Sequence, residues 1–314
     1  MILNTGSRTD IPAFFSEWFY KRIEEGYVMV RNPYYPSQVL RYRLEPEVVD
    51  GILFCTKNPK PMLEKIHCLD AFRQLWFVTV TPYGKEIEPG VPEKGRVLET
   101  FRELSGIVGK RAVIWRYDPI FLSEKYSLEF HMEAFERMAA ALEGYTECCV
   151  ISFIDLYEKT KRNFPGVKAV GKEERMRIGR EFVRIGGRYG MEIRSCCEGT
   201  ELEVFGVNCS GCMTKEVVER AFGCKLEVPG GGKSAREGCH CLLGNDIGVY
   251  HSCGHGCLYC YANDDAETVR RNRRRHEVDS PFLVGGAMEG DEVREVRQES
   301  WVDGQLSLED FWGR

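Results

Sequence analysis

The sequence predicts an α/β fold, a full or partial TIM-type (β/α) barrel that is followed by a C-terminal cysteine-rich module. Two observations predict it: short apolar runs alternate with amphipathic stretches over residues 1–195, and ten of the fourteen cysteines lie from Cys196 to Cys260. This alternation is typical of parallel βα units. An open, doubly wound sheet gives the same pattern, and the sequence alone separates the two folds poorly.

Six runs are expected to form the strands. In chain order they are MILNTGS, GILFCT, LWFVTVT, RAVIWRY, CCVISFI and MEIRSCC. The helical patterns between most of them are PAFFSEWFYKRIEEG, VLETFRELSGIVG, SLEFHMEAFERMAAALEG and KEERMRIGREFVRIGGRYG. We therefore predict a barrel domain at residues 1–195, a cysteine-rich module at residues 196–290 and a tail at residues 291–314.

Polar residues follow every predicted strand, in the segments SRTDIP, TKNP, TPYG, WRYDP, SFID and CCEG. The carboxyl ends of parallel strands open onto one face, which is where ligands bind. Turn formation alone accounts for any single Asp, Asn or Pro at such a place. Because six strands end this way, we expect one site to contain Arg8, Asp10, Lys57, Asn58, Arg116, Asp118, Asp155 and Glu198.

Composition and the N-terminus limit the setting of the protein. A chain of 314 residues with 43% hydrophobic residues is long enough to bury a core. The first residues, MILNTGSRTD, carry no basic region and apolar run, and no stretch of about 18 apolar residues follows. We therefore expect a cytoplasmic protein without membrane contact. Cytosolic thiols are kept reduced, so clustered cysteines predict metal binding rather than disulfides.

The stretch HSCGHGCLYCYAN contains Cys253, Cys257 and Cys260 at the spacing C-x3-C-x2-C. Structural zinc takes four ligands, and His251 or His255 could supply the fourth. In a four-iron cluster, three thiolates leave one iron open, and an open iron can chelate the amino and carboxylate groups of S-adenosylmethionine (SAM). The motif therefore leaves two interpretations, zinc and an iron–sulfur cluster.

With Tyr259 before the last cysteine and Tyr261 after it, the motif resembles that of the radical SAM superfamily. The resemblance implies a [4Fe-4S] cluster that cleaves SAM reductively to a 5′-deoxyadenosyl radical. It also implies an external one-electron donor such as flavodoxin or ferredoxin. The superfamily carries its motif after the first barrel strand, whereas here the motif follows the predicted barrel. The C-terminal segment is therefore expected to fold back onto the strand ends.

The order of SRTDIP, TKNP, TPYG, WRYDPI, SFIDLY, GCHC and CGHGCLYCYAN resembles a prokaryotic family, domain of unknown function 1848, over residues 1 to about 285. Members resemble radical SAM proteins with a displaced motif and carry further cysteines. The matching positions here are Cys197, Cys212, Cys239 and Cys241. They imply a second [4Fe-4S] cluster, and a four-cysteine zinc site would use the same residues. Cys196 and Cys209 are possible substitutes in this set.

These observations predict a radical SAM enzyme whose substrate the sequence leaves open. Six strand-end residues are expected to act in catalysis or substrate binding: Arg8, Asp10, Lys57, Asn58, Arg116 and Asp118. Four more are expected at the cofactor: Tyr259, Tyr261, Asp155 and Glu198. The alternative from another class is a non-catalytic zinc or iron–sulfur module on a ligand-binding barrel.

Two further features concern partners. The run VRRNRRRH places five arginines after the cysteine motif, on a predicted helix where they could meet nucleic-acid phosphates; a solvated helix face explains them as well. Modification or repair of nucleic acid therefore stays among the candidate activities. The tail GQLSLEDFW resembles peptides that bind the bacterial DNA sliding clamp, although Phe311 stands two residues late. An amphipathic tail that packs on its own domain is the alternative.

Overall fold

A six-stranded parallel sheet lies at the centre of the structure, a computed structural model that describes residues 1–229, 239, 241–242 and 244–303. The strands are, in chain order, β1 (Ile2–Asn4), β2 (Tyr27–Arg31), β3 (Gln38–Arg43), β4 (Gly51–Thr56), β5 (Arg73–Thr79), β6 (Val113–Ile120), β7 (Cys148–Phe153), β8 (Glu192–Ser195) and β9 (Glu292–Glu295). Strands β1, β4, β5, β6, β7 and β8 pair in that order, always in parallel. The six predicted strands and the α/β class are confirmed.

Helices connect most of these strands. They are α1 (Ile11–Phe14), α2 (Ser16–Glu25), α3 (Lys60–Leu63), α4 (Lys94–Val108), α5 (Leu128–Leu142), α6 (Glu158–Asn163), α7 (Lys172–Arg188), α8 (Lys215–Phe222) and α9 (Ala266–Arg273). The Ser127 hydroxyl caps α5 by accepting a hydrogen bond from the Phe130 amide at 3.2 Å. Gly26, with φ of 76°, ends α2 in the left-handed conformation. The four predicted helical stretches are confirmed, the first as the pair α1 and α2.

The two faces of the sheet pack against different parts of the chain. Phe54 and Trp76 point towards the helices, and their ring centroids are 4.0 Å apart. Their strand neighbours Leu53 and Leu75 belong to a second apolar cluster, which contains α8 residues and buried cysteines. Successive strand residues point to opposite faces, so the sheet is covered on both sides. The cysteine-rich part of the chain therefore covers the face that the helices α4, α5 and α7 leave open.

Strands β1 and β8 are the two edges of this sheet, and they do not pair with each other in the described residues. The closed form of the predicted barrel is therefore not shown by these residues, because the sheet has six strands where a TIM barrel has eight. Isolated parallel bridges continue past each edge. Asn4 of β1 pairs with Asp246, and Arg194 of β8 pairs with Asn208. Both edges are thus covered by short segments of the cysteine-rich module.

The sequence patterns do not predict a second sheet, which consists of β2, β3 and β9. Strands β2 and β3 are antiparallel, and β9 lies parallel to β3 with Glu292 opposite Gln38. Strand β9 belongs to the predicted tail, and all four of its residues are exposed. It therefore has no apolar alternation from which a strand could be predicted. The predicted division into three domains stays a prediction.

The module from Cys196 onwards contains little regular structure in its described part. Its helices are α8 and α9, and the arginine-rich run forms the end of α9 and the residues after it, as predicted. Among the helices described, none combines the length and the apolar character that crossing a bilayer requires. The tail motif at residues 304–312 lies outside the described residues.

Candidate metal and cofactor site

Residues 253–260, called here the cysteine loop, lie against the carboxyl ends of β1 and β4 and the segment after β5. His255 Nε2 is 2.8 Å from Asp10 Oδ2, which follows β1. The Tyr259 hydroxyl contacts the carboxylate of Glu88, which follows β5. Just after the loop, the Tyr261 hydroxyl donates to the Ser7 carbonyl oxygen at 2.6 Å. The C-terminal segment therefore folds back onto the strand ends, as expected.

Main-chain hydrogen bonds fix the cysteine loop to the segment after β5. The Gly90 amide donates to the His255 carbonyl at 2.8 Å, and the Leu258 amide donates to the Ile87 carbonyl at 3.0 Å. A Cβ atom on Gly90 would lie 2.7 Å from the Gly254 carbonyl oxygen. Contacts this short do not occur in relaxed proteins, so the two backbones can approach each other only because residue 90 is glycine.

Asp10 connects three segments through one buried carboxylate. Its Oδ1 atom accepts a hydrogen bond from the Ala13 amide at 3.0 Å and so caps α1. Its Oδ2 atom accepts from the Lys57 amide at 2.8 Å and also contacts His255. The sequence predicts Asp10 as a catalytic residue. In the structure its contacts hold the first two strand ends and the cysteine loop in register.

Neither histidine of the motif is placed to be a metal ligand beside the three thiols. His255 uses Nε2 for Asp10 and has Nδ1 at 3.3 Å from the Gly90 carbonyl oxygen. His251 accepts from the Asp264 amide at Nδ1, at 3.0 Å, and its Nε2 is 3.4 Å from the Asp264 carboxylate. Both imidazoles therefore stabilise the fold of the motif rather than complete a zinc tetrahedron.

The thiols of Cys253, Cys257 and Cys260 are partly buried and are not arranged around a single ion. Ligands of one zinc ion lie about 3.8 Å apart, the tetrahedral edge for bonds of about 2.3 Å. In the part of the chain that the structure describes, the three sulfurs do not all lie within 4.8 Å of one another. Each thiolate of a four-iron cluster binds a different iron, so a cluster needs wider spacing. The donor set therefore fits a cluster better than one ion.

Two lysines and a glutamate form a charged network under the cysteine loop. Glu88 is 1% exposed, and its carboxylate accepts from Lys57 Nζ at 2.9 Å and from the Thr81 hydroxyl at 2.8 Å. The ammonium of Lys94 and the hydroxyl of Tyr259 also contact it. Burial would raise the pKa of Glu88, but the adjacent Lys57 and Lys94 lower it to about 2. The network is therefore charged at neutral pH.

Lys57 also interacts directly with the cysteine loop. Its Nζ atom lies 5.4 Å from the centre of the Tyr259 ring, within the range of a cation–π contact. Burial raises the pKa of Cys257 to about 12, and the charge of Lys57 opposes that rise. Burial likewise raises the pKa of Cys253 and Cys260. Burial therefore favours the neutral thiols, whereas Lys57 and any bound cation would favour the thiolates.

A second set of cysteines, Cys196, Cys212 and Cys241, is called here the thiol group. All three side chains are buried, and their sulfurs lie within 4.8 Å of one another. Cys212 Sγ is 3.4 Å from the sulfurs of both Cys196 and Cys241. Two of its members, Cys212 and Cys241, were predicted as ligands, and Cys196 was named as a substitute. This set could hold a metal ion.

The other predicted ligands of this set, Cys197 and Cys239, stay predictions. Cys197 has φ of 58°, a left-handed backbone conformation that is uncommon for residues other than glycine. This conformation sends the side chains of Cys196 and Cys197 in different directions. Cys239 is 8% exposed and belongs to the same apolar cluster as the thiol group. The thiol of the alternative substitute, Cys209, donates to the Val207 carbonyl oxygen at 3.6 Å.

Arg116 and Asp118 form an ion pair at the end of β6. Burial would lower the pKa of Arg116, but the neighbouring Asp118 and the thiol group residues Cys212 and Cys196 raise it well above its usual value. Glu198 accepts from the Ser152 hydroxyl at 2.9 Å and pairs with Arg175 at 2.8 Å. The end of β6 therefore lies near the thiol group, and Glu198 connects the segment after β8 to β7 and α7.

The remaining predicted site residues lie at the border of this region. Arg8 Nε is 3.9 Å from Asp246, and its guanidinium lies 5.7 Å from the Tyr250 ring centre. The Asn58 amide donates to the Thr56 hydroxyl at 2.9 Å, which shapes the turn after β4. Asp155 is exposed, and the Tyr157 hydroxyl donates to it at 3.3 Å.

The sequence did not single out Glu88 or the positioning role of His255. The polar segment TPYG ends at Gly84, and Glu88 follows four residues later in a loop with Pro89, Gly90 and Pro92. A carboxylate in a proline- and glycine-rich loop after a strand was the available signal. His255 was considered as a ligand, and only the contact with Asp10 reveals its other role.

A family model decides the relationship of the chain to known proteins. The model with the description "Domain of unknown function (DUF1848)" matches residues 2–262. The chain belongs to this family. The DUF1848 match spans the six-stranded sheet, the thiol group and the cysteine loop. No curated protein matches the chain.

Proposed function

We propose that the protein is a radical SAM enzyme whose [4Fe-4S] cluster is bound by Cys253, Cys257 and Cys260. One observation carries the proposal: three thiols stand at the strand ends, and in the described part of the chain both histidines of the motif are held by other partners, so neither is placed as a fourth ligand. A cluster with three thiolate ligands keeps one iron for an external ligand. When bound and reduced, such a cluster supplies the electron that cleaves SAM to methionine and a 5′-deoxyadenosyl radical.

The residues around the cysteine loop have separate tasks in this proposal. Asp10 and Glu88 hold the loop in place through His255 and Tyr259. Lys57 places a positive charge beside the thiolates, which lowers the cost of burying them. These residues therefore position the cluster ligands rather than react themselves.

The strand ends beyond the loop are the proposed binding surface for SAM and substrate. Arg116 and Asp118 contribute charge at the end of β6, and Arg8 contributes charge after β1. Tyr261, which is 50% exposed, lies between the cysteine loop and Ser7 and offers an aromatic face. Electrons would come from a flavodoxin or ferredoxin. The exposed arginines of α9 and the residues after it keep nucleic acid among the candidate substrates.

A non-catalytic metal-binding module is the second candidate, and the thiol group favours it. Sulfurs that lie 3.4 Å apart suit a single metal ion that stabilises the fold. Such an ion would not require a reaction at the strand ends. In that case the polar strand ends would bind a ligand without transforming it. The two candidates differ in whether SAM is cleaved.

The deciding experiment is anaerobic purification and reconstitution, followed by EPR spectroscopy of the reduced protein with and without SAM. We expect SAM to change the EPR spectrum and 5′-deoxyadenosine to form. The triple variant C253A/C257A/C260A should show neither the spectral change nor the product. The matched control is Cys68→Ala, because Cys68 is exposed and outside both cysteine sets. A cluster signal that ignores SAM, or no cluster in the wild-type protein, would refute the proposal and favour the binding module.

A further inference from the structure

The spacing of the thiol group matches one metal ion. Cys212 Sγ lies 3.4 Å from both Cys196 Sγ and Cys241 Sγ. Thiolates around a tetrahedral zinc ion lie about 3.8 Å apart, because the bonds measure about 2.3 Å. A disulfide requires about 2.05 Å, so the sulfurs are not bonded to one another. Thiolates of a four-iron cluster bind separate irons and stand further apart.

Hydrogen bonds from neighbouring residues hold the thiol group and the loop before Cys212 in place. The Met213 amide lies 3.2 Å from Cys241 Sγ and donates to it. Arg194 holds the loop before Cys212, because its guanidinium donates to the Gly211 carbonyl at 3.1 Å and to the Ser210 hydroxyl at 2.6 Å. Hydrogen bonds of this kind orient metal ligands and tune their basicity.

Charge around the thiol group also favours a bound cation. Several buried thiolates repel one another and lose their hydration, so they cannot all form without compensation. The guanidinium of Arg116 is near enough to Cys212 and Cys196 for electrostatic interaction. One such cation balances only part of the charge of a thiolate set. A divalent metal ion would supply the rest.

The members of the thiol group lie close to the segments that cover the two edges of the six-stranded sheet. Cys196 directly follows β8, and Cys212 lies four residues after Asn208, which bridges the β8 edge. Cys241 begins a segment whose next residue, Leu242, donates to the Met213 carbonyl at 2.9 Å and accepts from the Asn4 side chain at 3.0 Å. The segment reaches β1 at Asp246. A metal ion here would connect β8 to β1.

We propose that Cys196, Cys212, Cys239 and Cys241 bind one thiolate-preferring divalent cation, zinc, which links the β8 and β1 edges. Cys239 is assigned the fourth position because it is buried in the same apolar cluster, two residues before Cys241. Its sulfur does not lie within 4.8 Å of all three sulfurs of the thiol group, so metal binding would have to draw it inward. This site differs from the proposed SAM-cluster site, and the inference does not rest on the proposed function. It replaces the second iron–sulfur cluster that the family resemblance implies.

The test is metal analysis of the full-length protein for zinc, iron and acid-labile sulfide. We expect about one zinc ion per chain in the wild-type protein and in the C253A/C257A/C260A variant, and at least a tenfold loss in Cys212→Ser. Cys239→Ser should lose zinc, whereas the matched variant Cys197→Ser should keep it. Loss of iron and sulfide from Cys212→Ser, or zinc retained by Cys239→Ser and lost from Cys197→Ser, would overturn the assignment.

A second measurement needs no variant and so does not depend on correct folding of a mutant. Wild-type protein is alkylated before and after zinc chelation, and the labelled cysteines are mapped by mass spectrometry. We expect Cys196, Cys212, Cys239 and Cys241 to be labelled together only after chelation. Labelling of these residues before chelation, or a disulfide between any two of them, would show that no metal is bound there.

Discussion

At the scale of single residues, Glu88 joins the cysteine loop to the buried charges beneath it. Its buried carboxylate faces two lysines, a threonine and a tyrosine of the cysteine loop. Removing one partner of a buried charged network leaves the other charges without compensation, which costs more than the pair itself contributes. Glu88 therefore links protein stability to the placement of the cysteine loop.

Replacing Glu88 by glutamine tests this link. Glu88→Gln keeps the shape of the side chain but leaves Lys57 and Lys94 without a buried counter-charge, so we expect a loss of about 3 kcal/mol in the free energy of unfolding. Urea denaturation measures it. The matched control is Glu103→Gln, whose partner Lys60 forms an exposed ion pair at 2.8 Å, and it should cost less than about 1 kcal/mol. Equal losses in the two variants would contradict the role of Glu88.

His131 makes stability depend on pH at a position far from the cysteines. The ring is fully buried, with Nδ1 at 2.7 Å from the Tyr117 hydroxyl and Nε2 at 2.9 Å from the Phe121 carbonyl oxygen. A neutral ring that is protonated at Nε2 satisfies both contacts. The rings of Tyr83 and Phe130 also pack on it. Burial lowers the pKa of His131 from 6.5 to about 4.

The unfolded chain therefore binds a proton on His131 at a higher pH than the folded protein does. Its contribution to stability is complete above pH 6.5 and is lost as the pH falls towards 4, by about 3 kcal/mol in total. Urea denaturation at several pH values should show this loss in the wild-type protein and in the control His67→Gln, because His67 is exposed. His131→Gln should lack it. An unchanged pH dependence in His131→Gln would contradict the assignment.

At the scale of elements, the strands were predictable and the partners of the cysteines were not. The six apolar runs are long enough to predict strands. Asp10 and Lys57 follow two of these runs, and both contact the cysteine loop. Whether Cys196 or Cys197 joins the thiol group depends on the backbone at Cys197, which has φ of 58°. The residue type does not reveal this conformation. Whether the sheet closes depends on strand number and pairing, and the periodicity of each run carries no information on either.

The contact between the cysteine loop and the segment after β5 gives an element-scale prediction. Gly90→Ala would place a methyl group 2.7 Å from the Gly254 carbonyl oxygen and force the loops apart. We expect the reconstituted variant to bind at most about half as much iron as the wild-type protein. Its far-UV circular dichroism spectrum should keep the signal of the α/β fold. Gly106→Ala is the matched control, since a Cβ there meets no atom within 4 Å, and alanine in a helix stabilises by about 0.5–1 kcal/mol. Normal iron content in Gly90→Ala would contradict the proposed packing role.

At the scale of the whole molecule, the sheet depends on segments outside it to cover its edges. Edge strands have fewer partners than central ones, so they open locally at lower free energy. Here β1 and β8 are covered by isolated bridges to Asp246 and Asn208. The thiol group lies between the two covering segments. If a metal ion holds that group together, it also limits the opening of both edges.

Hydrogen exchange with and without zinc chelation tests this consequence. Chelation should speed amide exchange in β1 and β8 by about tenfold or more, because the covering segments lose their common anchor. Strands β5 and β6 lie in the middle of the sheet and should change little, so they serve as the internal reference. In Cys212→Ser, which lacks a proposed ligand, the edges should already exchange fast and chelation should add nothing. A uniform increase across all six strands would mean that the ion stabilises the protein globally rather than joining its two edges.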